Sequence, residues 1–242
     1  MVEPVNVRNV RYYRFVGQST LLPTVTTILN VIHKPALIGW SINVTSQRAE
    51  EELLARVGEV ITPELAAEVA ARSRSRPRSD AAEWGTNVHS QLEQILRNEL
   101  AVEALPADVR EPVEALLHWL ESLGGTVEEV EFPVASEALG YGGTIDLVVR
   151  LPNGTLAAID WKTSRGIYPE YAAQIEAYRR AWNELYPSDP IVMCFVARYG
   201  REDSQLEVAR LANPEVAWKM FLAARTLWQM KDNEDVWQYE LS

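Results

Sequence analysis

Cysteine is almost absent from this chain: Cys194 stands alone among 242 residues. No disulfide, no thiolate-rich zinc site and no cysteine-held iron–sulfur cluster can be assembled within it. Cys194 itself lies in the apolar run IVMCFVA, where a small core residue is expected. Long apolar runs are also lacking. No stretch approaches the roughly 18 residues of a membrane span, and the N-terminus lacks a basic segment followed by an apolar one. A cytosolic protein without membrane partners is expected. Basic charge is scarce too, with 23 Lys and Arg against 34 Asp and Glu for a formal net charge of -11. That balance excludes a protein coated in basic surface for wrapping duplexes, but it leaves room for a local basic channel. Internal repeats and long linkers are missing as well.

What is present suits one large domain, or a core with a helical annex. The 47% hydrophobic and 24% charged content is that of an ordinary globular protein. The first third reads as mostly helical after a short extended start, with a strand and turn from Tyr12 to Gly17 and a helix capped by Thr24 through Leu29. Thr62-Pro63-Glu64 begins another helix, which runs into Arg72, Arg74, Arg76 and Arg78 and is broken by Pro77. Those arginines could track a phosphate backbone or simply decorate a solvated loop. Asp80 and Glu83 have capping-box spacing ahead of the stripe Val88, Leu92, Ile95 and Leu96; a further helix over 108–123 stops at Gly124-Gly125.

From Thr126 the hydrophobic period becomes two. Strands are expected over 127–134, 144–150 and 155–162, then a helix over 170–185, strands over 191–197 and 205–211, and a closing helix over 214–230. The order indicates a layered α/β domain: residues 80–242 as the core, 1–79 as a helical cap or arch.

The chemistry concentrates in GTIDLVVRLPNGTLAAIDWK. A three-residue turn, Pro152-Asn153-Gly154, places Asp146 opposite Asp160, with Cβ atoms about 4.5–5.5 Å apart; a two-residue Asn-Gly turn would shift the pairing by one. Alternation puts Asp160 and Lys162 on one face. Two facing carboxylates repel unless a divalent cation sits between them, and aspartate oxygens suit Mg2+ or Mn2+. Such an ion can lower the pKa of a bound water, and a nearby lysine can offset charge building on a phosphate. Gln174 and Tyr178 share a helix face one turn apart, with Tyr171 alongside, and His89 on the Asp80 helix is a candidate ligand or base. Glu129 and Glu131 alternate onto one strand face, where either could add a carboxylate to the site, although surface charge is the plainer reading.

Taken together, His89, Asp146 in GYGGTIDLVV, Asp160-Trp161-Lys162 in AIDWKTS and Gln174 to Tyr178 in QIEAY resemble the nuclease domain of the RecB family, within the PD-(D/E)xK superfamily. The segments LLPTVTTIL and PALIGW resemble the leading part of phage and mitochondrial-type exonucleases. The resemblance implies a restriction-endonuclease-like core, a mixed central sheet flanked by helices. It implies one or two Mg2+ or Mn2+ ions held by His89, Asp146, Asp160 and the Trp161 carbonyl. Lys162 would be the catalytic lysine, Gln174 and Tyr178 would position DNA or that lysine, and Thr163 and Ser164 would contact phosphate. The lone cysteine fits the branch without an iron–sulfur cluster. The expected activity is exonucleolytic hydrolysis of single-stranded DNA or DNA ends; a structure-specific endonuclease or a non-cleaving DNA scaffold are the alternatives. Oligomeric state is written in none of these patterns.

Overall fold

The structure is a computed structural model that describes residues 1–32, 35–74 and 80–233. By contacts the chain separates into two compact units, one of Met1–Ile32 with Trp84–Ser242 and one of His33–Glu83. The division expected after residue 79 is therefore not where the packing divides, because the first 32 residues belong with the core.

The smaller unit holds α2 (Pro35–Leu54) and α3 (Pro63–Arg74). Thr62 caps α3 through its side chain, accepting from Leu65 N–H at 3.2 Å, as its sequence position predicts. Arg72 pairs with Glu68 one turn back on α3 at 2.7 Å and reaches across to Glu52 on α2 at 3.8 Å.

The larger unit opens with β1 (Val2–Val7), β2 (Val10–Phe15) and β3 (Leu22–Pro23), which form an antiparallel three-stranded sheet. The expected short extended start is thus a sheet of its own. Its first turn, Arg8-Asn9, has positive φ at both residues. Asparagine tolerates that conformation and arginine seldom adopts it, so the sequence carries no standard hairpin signal there. Thr24 caps α1 (Val25–Leu29) by accepting from Thr27 N–H at 2.9 Å, as anticipated.

The central sheet has the order β4-β5-β6-β7-β8: β4 (Thr126–Ser136), β5 (Tyr141–Arg150), β6 (Leu156–Lys162), β7 (Ile191–Tyr199) and β8 (Leu206–Arg210). All neighbours are antiparallel except β6 and β7, which run parallel and are joined by α6 (Pro169–Leu185) as the crossover helix. One face packs on α1, α6 and α7 (Pro214–Met230) through Val148, Ala158, Ile175, Val196 and Phe221. The other packs on α4 (Asp80–Leu96) and α5 (Ala107–Leu123) through Val88, Val113, Leu116, Leu147, Ile159 and Trp161. The result is a mixed sheet flanked by helices, the α/β layering expected. Gly124 ends α5 at φ +64, as expected of a left-handed C-cap.

The hairpin of β5 and β6 folds as its sequence predicts. Leu151 N–H donates to Thr155 C=O at 2.9 Å, Gly154 adopts φ +85, and the ladder runs from Arg150↔Leu156 to Leu147↔Ile159. This is the three-residue turn and not the two-residue one. The ladder ends one rung before Asp146 and Asp160.

Candidate active site

At that last rung the strands change face. Leu147 and Val149 belong to the α4–α5 side of the sheet, and alternation would put Ile145 there too, yet Ile145 packs with the α6 side. On β4, Val130 packs on the α4–α5 side and Phe132 on the α6 side, with Glu131 between them at φ +52. Both strands turn over at the same place, where Glu131 and Asp146 would pair between the rungs Val130↔Leu147 and Phe132↔Ile145. A non-glycine residue in the left-handed region is strained, and such strain gathers at functional sites.

The turn brings Asp146 and Glu131 to His89 on α4. One ligand atom from each of these three residues lies within 4.8 Å of the others. They line a small hollow of about 20 Å³ together with Trp161 and Glu93, room for one water-sized occupant. Burial first, and the Asp146 charge second, push the Glu131 carboxyl up to about 7. Burial also raises Asp146. Burial, aided by the Lys162 charge, lowers His89 to about 4, so its imidazole is neutral and its lone pair free at neutral pH. Two acids that resist ionisation beside a neutral imidazole fit a divalent cation, which would relieve the desolvation and repulsion together.

Asp160 stands outside that trio. Its carboxylate turns toward α6, where Gln174 Nε2 donates to Oδ1 at 3.4 Å, and Lys162 Nζ lies 2.6 Å from Oδ2. Oδ2 is buried and accepts no well-directed hydrogen bond. Burial first, offset by Lys162 and reinforced by Asp146, raises Asp160 to about 6. Burial pulls the Lys162 ammonium down, but the two aspartates outweigh it and hold its pKa above the ordinary lysine value. Lys162 also lies 5.2 Å from the centre of the Tyr171 ring.

Gln174 and Tyr178 meet as their spacing predicts, with Gln174 Nε2 donating to Tyr178 Oη at 3.0 Å. Both are buried, so they hold Asp160 in place. The Tyr178 ring packs closely on β5 at Gly143, where any Cβ would overlap it; the GYGG motif makes that approach possible. Thr163 sits against α4 at Gly85, and a Cβ on Gly85 would overlap its hydroxyl. Ser164 Oγ donates to Gly166 C=O at 2.8 Å within the same loop. Arg72 is engaged in the ion pairs described above, while Arg76, Arg78 and the Arg74 side chain fall outside the described residues.

Two residues of the site are not singled out by the sequence. Glu131 is the third member of the trio, not surface charge; the four-residue loop 137–140, closed by Gly140 at φ +65, would have aligned it with Asp146. Arg198 is buried next to Lys162 in the parallel register. It donates to the Ser164 and Arg165 carbonyls at 2.7 Å each and to Asp203 at 2.8 Å, fixing the loop after Lys162. Nothing in its run, FVARYG, marks it.

No described helix is long and apolar enough to cross a membrane. Among solved structures, the chain is similar to SSO0001 at 12% identity, covering 79% of this chain and 88% of that one with a TM-score of 0.41. It is also similar to a protein from Eubacterium rectale assigned as an exonuclease, at 9% identity, covering 73% and 77% with a TM-score of 0.42. No curated protein matches it. Residues 64–236 match the PD-(D/E)XK nuclease superfamily, a span that contains every acid, the histidine and the lysine of the site, and the chain belongs to that superfamily.

Proposed function

We propose that the protein is a metal-dependent deoxyribonuclease that removes nucleotides from single-stranded DNA or from DNA ends. One observation carries the reading: His89, Glu131 and Asp146 close within 4.8 Å of one another beside a buried aspartate paired with a lysine. His89, Glu131 and Asp146 would hold Mg2+ or Mn2+, with Asp160 and the Trp161 carbonyl as the further ligands that the RecB-like resemblance implies. When bound, the ion supplies an acidified water and polarises the phosphoryl oxygen.

The chain's own groups do the rest. Lys162 places a fixed positive charge where negative charge builds on the phosphate. Gln174 holds Asp160, and Tyr178 holds Gln174, so the carboxylate meets the substrate already oriented. Thr163 and Ser164 follow Lys162 directly and are proposed to contact phosphate. The helical unit His33–Glu83, with its arginine run from Arg72 to Arg78, is the segment proposed to guide the strand.

The test is hydrolysis of end-labelled single-stranded DNA with Mg2+ or Mn2+ by the wild type, Asp146→Asn and Lys162→Ala. Loss of at least a hundredfold in both variants is expected, roughly 3 kcal/mol of transition-state stabilisation. Equal activity in all three would remove the site. A closed circular single strand should survive; its cleavage would turn the assignment to an endonuclease.

A further inference from the structure

Tyr168 closes the loop after Lys162 and occupies the N-cap of α6, yet it makes no side-chain cap. Serine, threonine, aspartate or asparagine at that position would satisfy an orphan N–H and stabilise the helix by about 1 kcal/mol. The ring is instead 39% exposed and set edge-to-face against Tyr171, with centroids 5.6 Å apart and planes at 75°. The Tyr171 ring lies in turn 5.2 Å from Lys162 Nζ. The only other phenylalanine, tryptophan or tyrosine exposed to this degree among the described residues, Tyr186, is packed against Trp182 and Phe132. Tyr168 therefore gives up a local stabilisation to hold a rigid aromatic face in solvent, two ring-sized steps from the lysine. A rule broken locally without a structural return marks a functional position.

We infer that Tyr168 is a base-stacking platform, on which an unpaired nucleobase of the substrate strand lies while its neighbouring phosphate meets Lys162. The inference rests on the nuclease reading and deepens it. Every nucleobase offers a π face, so the platform selects for unstacked strands without selecting sequence. Duplex bases are already stacked and paired, and a platform at this position favours a splayed single strand or a frayed end. Tyr168 also lines an apolar hollow of about 390 Å³ with Ile167, Ala172 and Val216, of a size found in small-ligand sites. Of the Tyr168–Tyr171–Lys162 row only Tyr168 borders that recess, whose apolar walls suit a base rather than a phosphate.

The experiment compares wild type, Tyr168→Phe and Tyr168→Ala on a single-stranded oligodeoxynucleotide with Mn2+. A parallel series carries one abasic residue stepped along the strand from the labelled end. Tyr168→Ala should lower kcat/KM roughly tenfold or more, mainly through KM, and Tyr168→Phe should keep activity within about twofold. At one abasic position the wild type should fall to the level of Tyr168→Ala, and the two losses should not multiply. Phe as damaging as Ala, or losses that multiply at every position, would overturn the platform. Anisotropy of the same strands with Ca2+ in place of Mn2+ reads binding apart from cleavage. A position-specific effect of Tyr168→Ala on binding, with no hydrolysis by the wild type, would retain the platform and reject the nuclease. Position-independent binding would reject the platform whatever the hydrolysis.

Discussion

Asp146 accepts a hydrogen bond from the backbone N–H of Trp161 at 2.8 Å, after the β5–β6 ladder has ended at Leu147↔Ile159. A side-chain oxygen here bonds to a β6 main-chain N–H just beyond the last rung of the ladder. Asp146 is thereby anchored to the backbone of β6 while its carboxylate reaches His89 and Glu131. Asp160 is left on the α6 side with Lys162.

If that trio seats the ion, Glu131 matters as much as Asp146. Glu131→Gln should weaken Mn2+ binding at least tenfold, about 1.4 kcal/mol, while Glu129→Gln leaves it unchanged. Titration calorimetry decides the matter. Wild-type affinity in Glu131→Gln would exclude Glu131 from the seat.

The same carboxyl gives the metal-free protein a pH signature. Its folded pKa of about 7 lies above its ordinary value of 4.5. The stability it contributes is therefore complete below pH 4.5 and disappears as the pH rises through 7. His89, depressed to about 4 from 6.5, works in the other direction, contributing stability above pH 6.5 that is lost as the pH falls through 4. Denaturant melts of wild type and Glu131→Gln with a chelator present, at pH 5 and pH 8, isolate the first effect, because His89 is common to both proteins. Glu131→Gln should gain on the wild type by on the order of 1–2 kcal/mol across that interval, allowing for partial solvent screening. A pH-independent difference would contradict it.

Gly85 and Thr163 form a steric pair that a double mutant can expose. Gly85→Ala should destabilise the protein by about 1–2 kcal/mol, because overpacking outweighs the better helix propensity of alanine. In a Thr163→Ala background the hydroxyl is gone, and the same change should be neutral or stabilising by thermal melting. Equal losses in both backgrounds would show that Gly85 serves some other purpose.

Arg198 bonds to two loop carbonyls and one carboxylate from within the core. Arg198→Met leaves all three without their donor and should cost roughly 3–5 kcal/mol. Hydrogen exchange should show the loss first in the amides of residues 164–166. Uniform loosening of the whole sheet would argue against a role confined to the loop.

The sequence carried the long elements well where local rules act alone. Gly154 at a left-handed turn position set the β5–β6 register, and the Thr24, Thr62 and Gly124 caps lie where residue chemistry demands them. The Gln174–Tyr178 contact follows from helical spacing. What stayed hidden depends on events across strands. Period-two alternation assumes an unbroken pleat, so it cannot foresee Glu131 at φ +52, turning its own carboxylate toward α4. Arg198 looks like any residue of an apolar strand until the parallel pairing with β6 sets it beside Lys162. The Arg8-Asn9 turn hid β1 because arginine is the wrong residue type for it.

Tyr13 Oη and Thr144 Oγ1 hydrogen-bond at 2.5 Å across 131 residues of sequence, and Val2, Tyr13 and Leu22 pack with Ala135. During synthesis the opening sheet must therefore wait for β4 and β5 to leave the ribosome, on the order of ten seconds at ordinary elongation rates. Throughout that interval its apolar face lacks the Ala135 surface it covers in the folded protein.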